Sequence, residues 1–202
     1  MATTPGQDVR ELILKEATSL FMKKGYKGLS MREIALAANL SKAGLYYHFK
    51  DKEHLFLEIL KRNLEGFVPK FRHVHANGKN TQQKLELLVL EFMKTSEHDR
   101  AIAHLAEREM IHVSQAEQKQ FSEIYQAYFL RPIMEILQAG HAQGELHCPD
   151  AFFATRVFLG MCWPFLMSHG AKMHGKLSEP EATALAHVFM HGFARQSANS
   201  LT

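Results

Sequence analysis

Apolar residues recur at helical spacing along nearly the whole chain, and no stretch shows the strict two-residue alternation of a strand. Leu12, Ile13, Ala17, Leu20 and Phe21 line one face of a first helix. Asp8 with Glu11 offers it a capping-box start, and Lys23, Lys24 and Gly25 suit its end. "GLSMREIALAANL" opens a second helix, with Ser30 as N-cap, Glu33 completing the box and Leu29 meeting Ile34 as a hydrophobic staple. That helix ends near Ala38, because Asn39 is a good C-terminal stop and Ser41 caps another helix directly after it. Two short helices joined by a tight turn make a helix-turn-helix. Asp51 then caps a longer helix carrying Leu55, Ile59 and Leu60, which Pro69 kinks or ends before a "HANGKN" linker.

The remaining pattern predicts helices over 81–96, 101–113, 116–143 with Pro132 inside, 149–170 capped by Asp150 with Pro164 inside, and 178–197 opened by Ser178 and Glu181. The fold class is therefore all-α, with about nine helices. The division falls near residue 53, with a helix-turn-helix domain over 1–53 and a larger helical domain over 54–202.

Charge sharpens that division. Residues 1–53 hold nine Lys and Arg against six Asp and Glu, so the whole net charge of +3 lies in the first quarter of the chain, as a polyanion-binding segment would have it. Two cysteines, Cys148 and Cys162, match neither a disulfide framework nor a cysteine zinc motif, which suits a reducing cytoplasm. The N-terminus shows no apolar signal segment, and the longest apolar run, "VFLGMCWPFLM", is 11 residues, too short to span a bilayer. No phosphate loop, dinucleotide fingerprint, nucleophile elbow or zinc-protease motif is present, so neither an enzyme nor a cofactor is expected.

The informative stretch is "LSKAGLYYHFKDKEHL", residues 40 to 55. On a helical wheel Leu45 and Phe49 share one face, while Ala43, Gly44 and Tyr47 look the other way, flanked by Tyr46 and His48. A glycine inside a helix costs about 1 kcal/mol relative to alanine. It makes sense where the backbone must come close to something. Tyrosine hydroxyls and lysines donate to phosphate oxygens, and the methyl of Ala43 suits a thymine methyl. Ser41 and Asp51 open helices whose free N–H groups can receive phosphates, and Lys50 and Lys52 stand at the second of these. Tyr46, nearer the buried face, can equally pack on a neighbouring helix.

Taken together, "GYKGLSMREIALAANLSKAGLYYHFKDKEHLFLEIL" resembles the N-terminal domain of TetR-family transcriptional regulators, over about residues 8 to 60. The resemblance implies that Arg32, Lys42, Ala43 and Gly44 face base edges while Ser30, Tyr46, Tyr47, His48 and Lys52 hold phosphates. Many members carry a polar residue where this chain has Gly44, which leaves Arg32 and Lys42 as the direct readers, of guanine above all. The implied partners are a double-stranded DNA operator, a small-molecule effector and a second copy of the chain, with no membrane. The implied function is a ligand-responsive repressor that binds a pseudo-palindromic operator as a dimer.

In the C-terminal part, Ala182, Leu185, Ala186, Phe189, Met190 and Phe193 form a helical apolar stripe suited to a dimer interface, joined by Phe158 from the preceding helix. Phe92, Met93, Met110, Tyr125, Tyr128, Phe129, Met161 and Trp163 are either plain core or the lining of a pocket for a lipophilic or aromatic effector. His187 and His191 have a usable i, i+4 ligand spacing, although no cysteine or carboxylate cluster accompanies them, so no metal site is assigned. The alternative reading is an all-α metal- or small-molecule-binding protein whose N-terminal module is merely structural.

Overall fold

The computed structural model describes residues 5–166 and 177–192. Within them lie α1 (Pro5–Lys24), α2 (Met31–Ala37), α3 (Lys42–His48), α4 (Lys52–Glu65), α5 (Val68–Asn77), α6 (Thr81–Met93), α7 (Glu97–Glu109), α8 (Gln115–Tyr125), α9 (Arg131–Ala142), α10 (Ala151–Leu166) and α11 (Glu179–Gly192). The nine expected helices are all represented, and α5 is an addition. Pro69 does not end α4. It sits in the first turn of α5, where a missing N–H has no intrahelical partner to lose, so the expected linker shrinks to the residues around Gly78. The long helix expected over 116–143 is α8 and α9 joined by a π turn, Gln126–Leu130. The wider turn takes up the carbonyl that the ring of Pro132 would otherwise strike.

Local signals explain most helix ends. The Ser30–Glu33 capping box forms as expected. Asn39 takes the left-handed conformation, φ 54°, and closes α2. Asp51 accepts from the N–H of His54 at 2.8 Å, and Asp150 accepts from that of Phe153 at 2.9 Å. The start of α1 differs: it begins at Pro5, so Asp8 and Glu11 lie inside it. Leu12, expected on the buried face, is exposed.

The chain divides into two compact units, 1–65 with 97–125, and 66–96 with 126–202. In the first, α1, α2 and α3 share one core with α4, α7 and the segment after α7, built on Ile13, Phe21, Ile34, Leu45, Phe49, Phe56, Leu60, Leu105 and Val113. This division departs from the boundary expected at residue 53, because α4 and α7 pack on α1, and α8 packs on α4. Burial of such apolar side chains contributes about 1.5–3 kcal/mol each, which makes a rigid platform for α2 and α3. In the second unit α6 packs on α5, α9, α10 and α11.

Candidate nucleic-acid interface

The reading head starts from its caps. The Ser30 hydroxyl accepts from the N–H of Glu33, and the Glu33 carboxylate accepts from the Ser30 N–H at 2.9 Å. Lys24 reaches the same carboxylate at 2.6 Å, and this lysine, followed by Ser30, pulls the pKa of Glu33 down to about 2. The Ser41 hydroxyl accepts from the Gly44 N–H at 3.0 Å, fixing the first turn of α3.

With α3 so fixed, Leu45 and Phe49 are wholly buried and the opposite face is open. Arg32, Lys42 and Ala43 are exposed, Gly44 and His48 are half-buried, and Tyr47 is 86% exposed. The ammonium of Lys42 lies 5.7 Å from the centre of the Tyr46 ring, and the Tyr47 and His48 rings meet edge-on at 5.1 Å. Tyr46 is 42% exposed, so it is not a core ring. An exposed tyrosine as open as Tyr47 gains nothing from the fold of one copy.

Lys52 behaves differently from the expectation. Its ammonium turns inward, donating to the carbonyls of Tyr26 at 2.8 Å and Leu29 at 2.9 Å, and lies 4.2 Å from the centre of the Tyr26 ring. Burial lowers its pKa, against the neighbouring Glu53. In this structure Lys52 is a brace for the α1–α2 turn rather than an outward phosphate clamp, because two carbonyls that the fold shields from water need its charge.

The same turn is held from its other side. The carboxylate of Glu109, at the end of α7, accepts from the Tyr26 N–H at 3.0 Å and pairs with Arg108 at 2.8 Å. Burial would raise the Glu109 pKa, but Arg108 and then Tyr26 outweigh it and lower it. Gly25 supplies the left-handed conformation, φ +70°, that starts the turn, and a Cβ there would press on Glu109 at 3.0 Å. One residue, Tyr26, is thus clamped at its N–H by α7 and at its carbonyl by α4. Nearby, Ser114 at the head of α8 donates to Glu53 through its N–H at 3.0 Å and its hydroxyl at 2.9 Å. Sequence reasoning missed Glu109. The signal was available: it continues the stripe of Ile102 and Leu105 at helical spacing, an acid where an apolar residue belongs.

In the second unit the expected effector residues separate. Phe92 and Phe129 stack at 5.5 Å, and Phe67 and Phe71 meet Phe129 edge-on at 4.9 and 6.1 Å. With Met93 also buried, Phe92 and Phe129 are core rather than pocket wall, their faces occupied by one another. Met161 is half-buried on α10, and Met110 and Tyr125 belong to the first unit. Tyr128 alone of the expected set lines a groove of about 650 Å³, together with Val68, Phe71, Arg72, His75, Ala76, Ala127, Pro132 and Glu135. Its walls come from α5, the π turn and α9.

Two family models match the chain, one described as "Bacterial regulatory proteins, tetR family" over residues 13–59, the other as "Tetracyclin repressor-like, C-terminal domain" over 78–165. The chain belongs to the TetR family of transcriptional regulators. The HTH-type transcriptional repressor KstR2 of Rhodococcus jostii is 27% identical over 155 residues, 76% of each chain. A bacterial regulatory protein of the TetR family from Rhodococcus RHA1 shares the fold with a TM-score of 0.76, at 18% identity, covering 96% of this chain and 100% of that one. AibR, in complex with isovaleryl coenzyme A and operator DNA, superposes with a TM-score of 0.69 at 21% identity, covering 90% and 98%.

TetR-family regulators act as dimers, which bears on the apolar surface. Phe158, Ala182, Leu185, Ala186 and Phe189, expected at the dimer interface, are buried inside one copy. They form the face by which α10 and α11 join the core, with Phe158 and Phe189 edge-on at 5.3 Å. Met190 is half-buried, and Phe193 lies outside the described residues. The exposed apolar side chains of these helices are Phe152, Phe153, Trp163 and Val188, at 45%, 59%, 39% and 61%. Trp163, expected in the effector set, is therefore on this outer face. Among the described residues no helix is long and apolar enough to cross a membrane.

Proposed function

We propose that this TetR-family regulator is a dimeric repressor that sets α2 and α3 of each copy into the major groove and is released by an effector held in the second unit. The observation that carries it is the outer face of α3: two small residues, Ala43 and Gly44, beside an exposed Lys42 and a Tyr47 that the fold leaves open, with Arg32 exposed on α2. Arg32 and Lys42 read guanine edges, Ala43 touches a thymine methyl, and Ser30, Ser41, Tyr46, Tyr47 and His48 hold the backbone on either side. Phosphate contacts of this kind release counterions. Affinity for duplex DNA is expected to fall about a hundredfold or more between 50 and 200 mM salt. Fluorescence anisotropy with a labelled duplex measures this, and binding insensitive to salt contradicts it.

Dimerisation rests on Phe152, Phe153, Trp163 and Val188, large apolar groups on adjoining helices that one copy leaves uncovered. Phe153→Glu is expected to shift the chain to monomers in light scattering. It should also weaken DNA binding, because one reading head then lacks its twin. A dimer unchanged by this charge puts the interface elsewhere.

The groove is the effector site. Its walls are mainly apolar, with Arg72, His75, Tyr128 and Glu135 as the polar handles. A lipophilic or aromatic body with a small polar group satisfies both. The route to the reading head is covalent: the π turn that lines the groove continues from α8, whose head is bonded to Glu53 beside Lys52. The effector releases DNA only if it binds the incompetent state more tightly. A coupling of about 1–3 kcal/mol suffices for a 5- to 150-fold change in affinity.

A further inference from the structure

The exposed side of α11 carries a pair of side chains that neither DNA binding nor the effector groove uses. His187 and His191 stand one turn apart, both exposed, with ring centroids 3.9 Å apart and planes at 70°. Their Nε2 atoms face each other at 2.7 Å, a hydrogen bond in which one ring donates its N–H to the other. We propose that this pair is a two-nitrogen chelate for a divalent transition-metal ion, bound by both Nε2 atoms once the donating ring carries its proton on Nδ1 instead.

The geometry is close to what such an ion needs. Zn–N bonds of about 2.0–2.1 Å at a tetrahedral centre place two ligand nitrogens roughly 3.3 Å apart. Opening the pair by about half an ångström through side-chain rotation reaches that span, because both rings point outward and nothing in the core must move. The chemistry of the ligands selects the ion. Imidazole suits copper, nickel and zinc, whereas calcium and magnesium prefer oxygen donors. The surroundings do not oppose a cation: residues Glu179–Gly192 contain two glutamates and no lysine or arginine. Among the described residues no group of three metal-ligating side chains gathers, so water or groups from whatever meets this face complete the coordination.

The consequence is mechanical. An ion held at i and i+4 cross-links the last described turn of α11, on the side of the helix where Val188 is also exposed. Anything that binds the folded state alone raises its stability by mass action. Metal loading therefore stiffens the outer face of α11, independently of the DNA and effector readings.

Isothermal titration of the tag-free full chain with Cu²⁺, Ni²⁺ and Zn²⁺ tests this, in a buffer without chelating amines. Copper is expected to bind most tightly, following the usual order for nitrogen sites. His187→Gln and His191→Gln should each weaken binding by more than about tenfold, or 1.4 kcal/mol. His141→Gln is the control, since His141 faces another ring, His147, at 5.9 Å and accepts from the Cys148 N–H. Hydrogen exchange should show the amides around residues 187–192 more protected with metal in the wild type and unchanged in both α11 variants. No uptake by the wild type, uptake by either α11 variant as tight as the wild type's, or a loss confined to His141→Gln overturns the proposal.

Discussion

Lys52→Met is expected to destabilise the first unit by about 2–4 kcal/mol, because two shielded carbonyls lose a charged donor at once. Those carbonyls belong to Tyr26 and Leu29, buried residues at 6% and 2% exposure. The α1–α2 turn they lie in carries Ser30, the cap of α2, so loosening it lets α2 shift against α3. Urea unfolding measures the stability. DNA affinity should fall for every duplex, while the slope of log affinity against log salt stays as in the wild type, because the ammonium is bonded to carbonyls and not to phosphate. A slope smaller in magnitude by about one would mean that Lys52 leaves the turn for the DNA backbone in the complex. Glu109→Ala strands the Tyr26 N–H on the other side of the same residue, at about 1–3 kcal/mol. Since both substitutions release one turn, the double variant should lose less than the sum of the two.

Gly44→Ala is expected to move stability and DNA binding in opposite directions. A Cβ at this position would lie 3.4 Å from the Ser41 hydroxyl and 3.9 and 4.0 Å from Leu40, tight only at the cap and otherwise in ordinary contact. The fold of one copy therefore has room for alanine, and a glycine in a helix gives up about 0.5–1 kcal/mol relative to it. The variant should unfold at a slightly higher urea concentration. DNA affinity should nevertheless drop by more than about tenfold, since a methyl group now stands where the α3 backbone meets the groove floor. Thermal or urea unfolding beside a duplex titration makes the test. Equal DNA binding by the wild type and the Gly44→Ala variant would remove the clearance argument and leave the glycine without a role.

The parts of this fold that could be read from sequence were the local ones. Ser30, Asn39, Ser41, Asp51, Asp150 and Ser178 each act within three or four residues, so the residue type and its near neighbours decide the outcome. The face of α3 was legible for the same reason: Leu45 and Phe49 define the buried side without help from the rest of the chain. The direction of Lys52 was not, because it depends on where the Tyr26 and Leu29 carbonyls end up, 26 and 23 residues earlier. Which face of α11 the chain buries was hidden for another reason. On α11 the stripe of Ala182, Leu185, Ala186 and Phe189 and the outer Ala184 and Val188 are both apolar, and periodicity does not say which one the chain keeps for itself. The larger side chains went inward, as burial energetics favour. The aromatic set of the second unit followed that rule too: Phe92 and Phe129 found each other, and the groove was left to Tyr128 and to residues outside the expected set.

The central claim is that two copies of the α2–α3 unit read DNA together. Repeated selection of the wild-type chain on a pool of random duplexes, with the retained sequences read out, tests this most directly. The account predicts enrichment of an inverted repeat whose half-sites lie on one side of the helix, their centres about 34–36 Å or a multiple of that apart, with guanines at the positions read by Arg32 and Lys42. A pool that emerges unenriched, or enriched in a single unrepeated site, would contradict it.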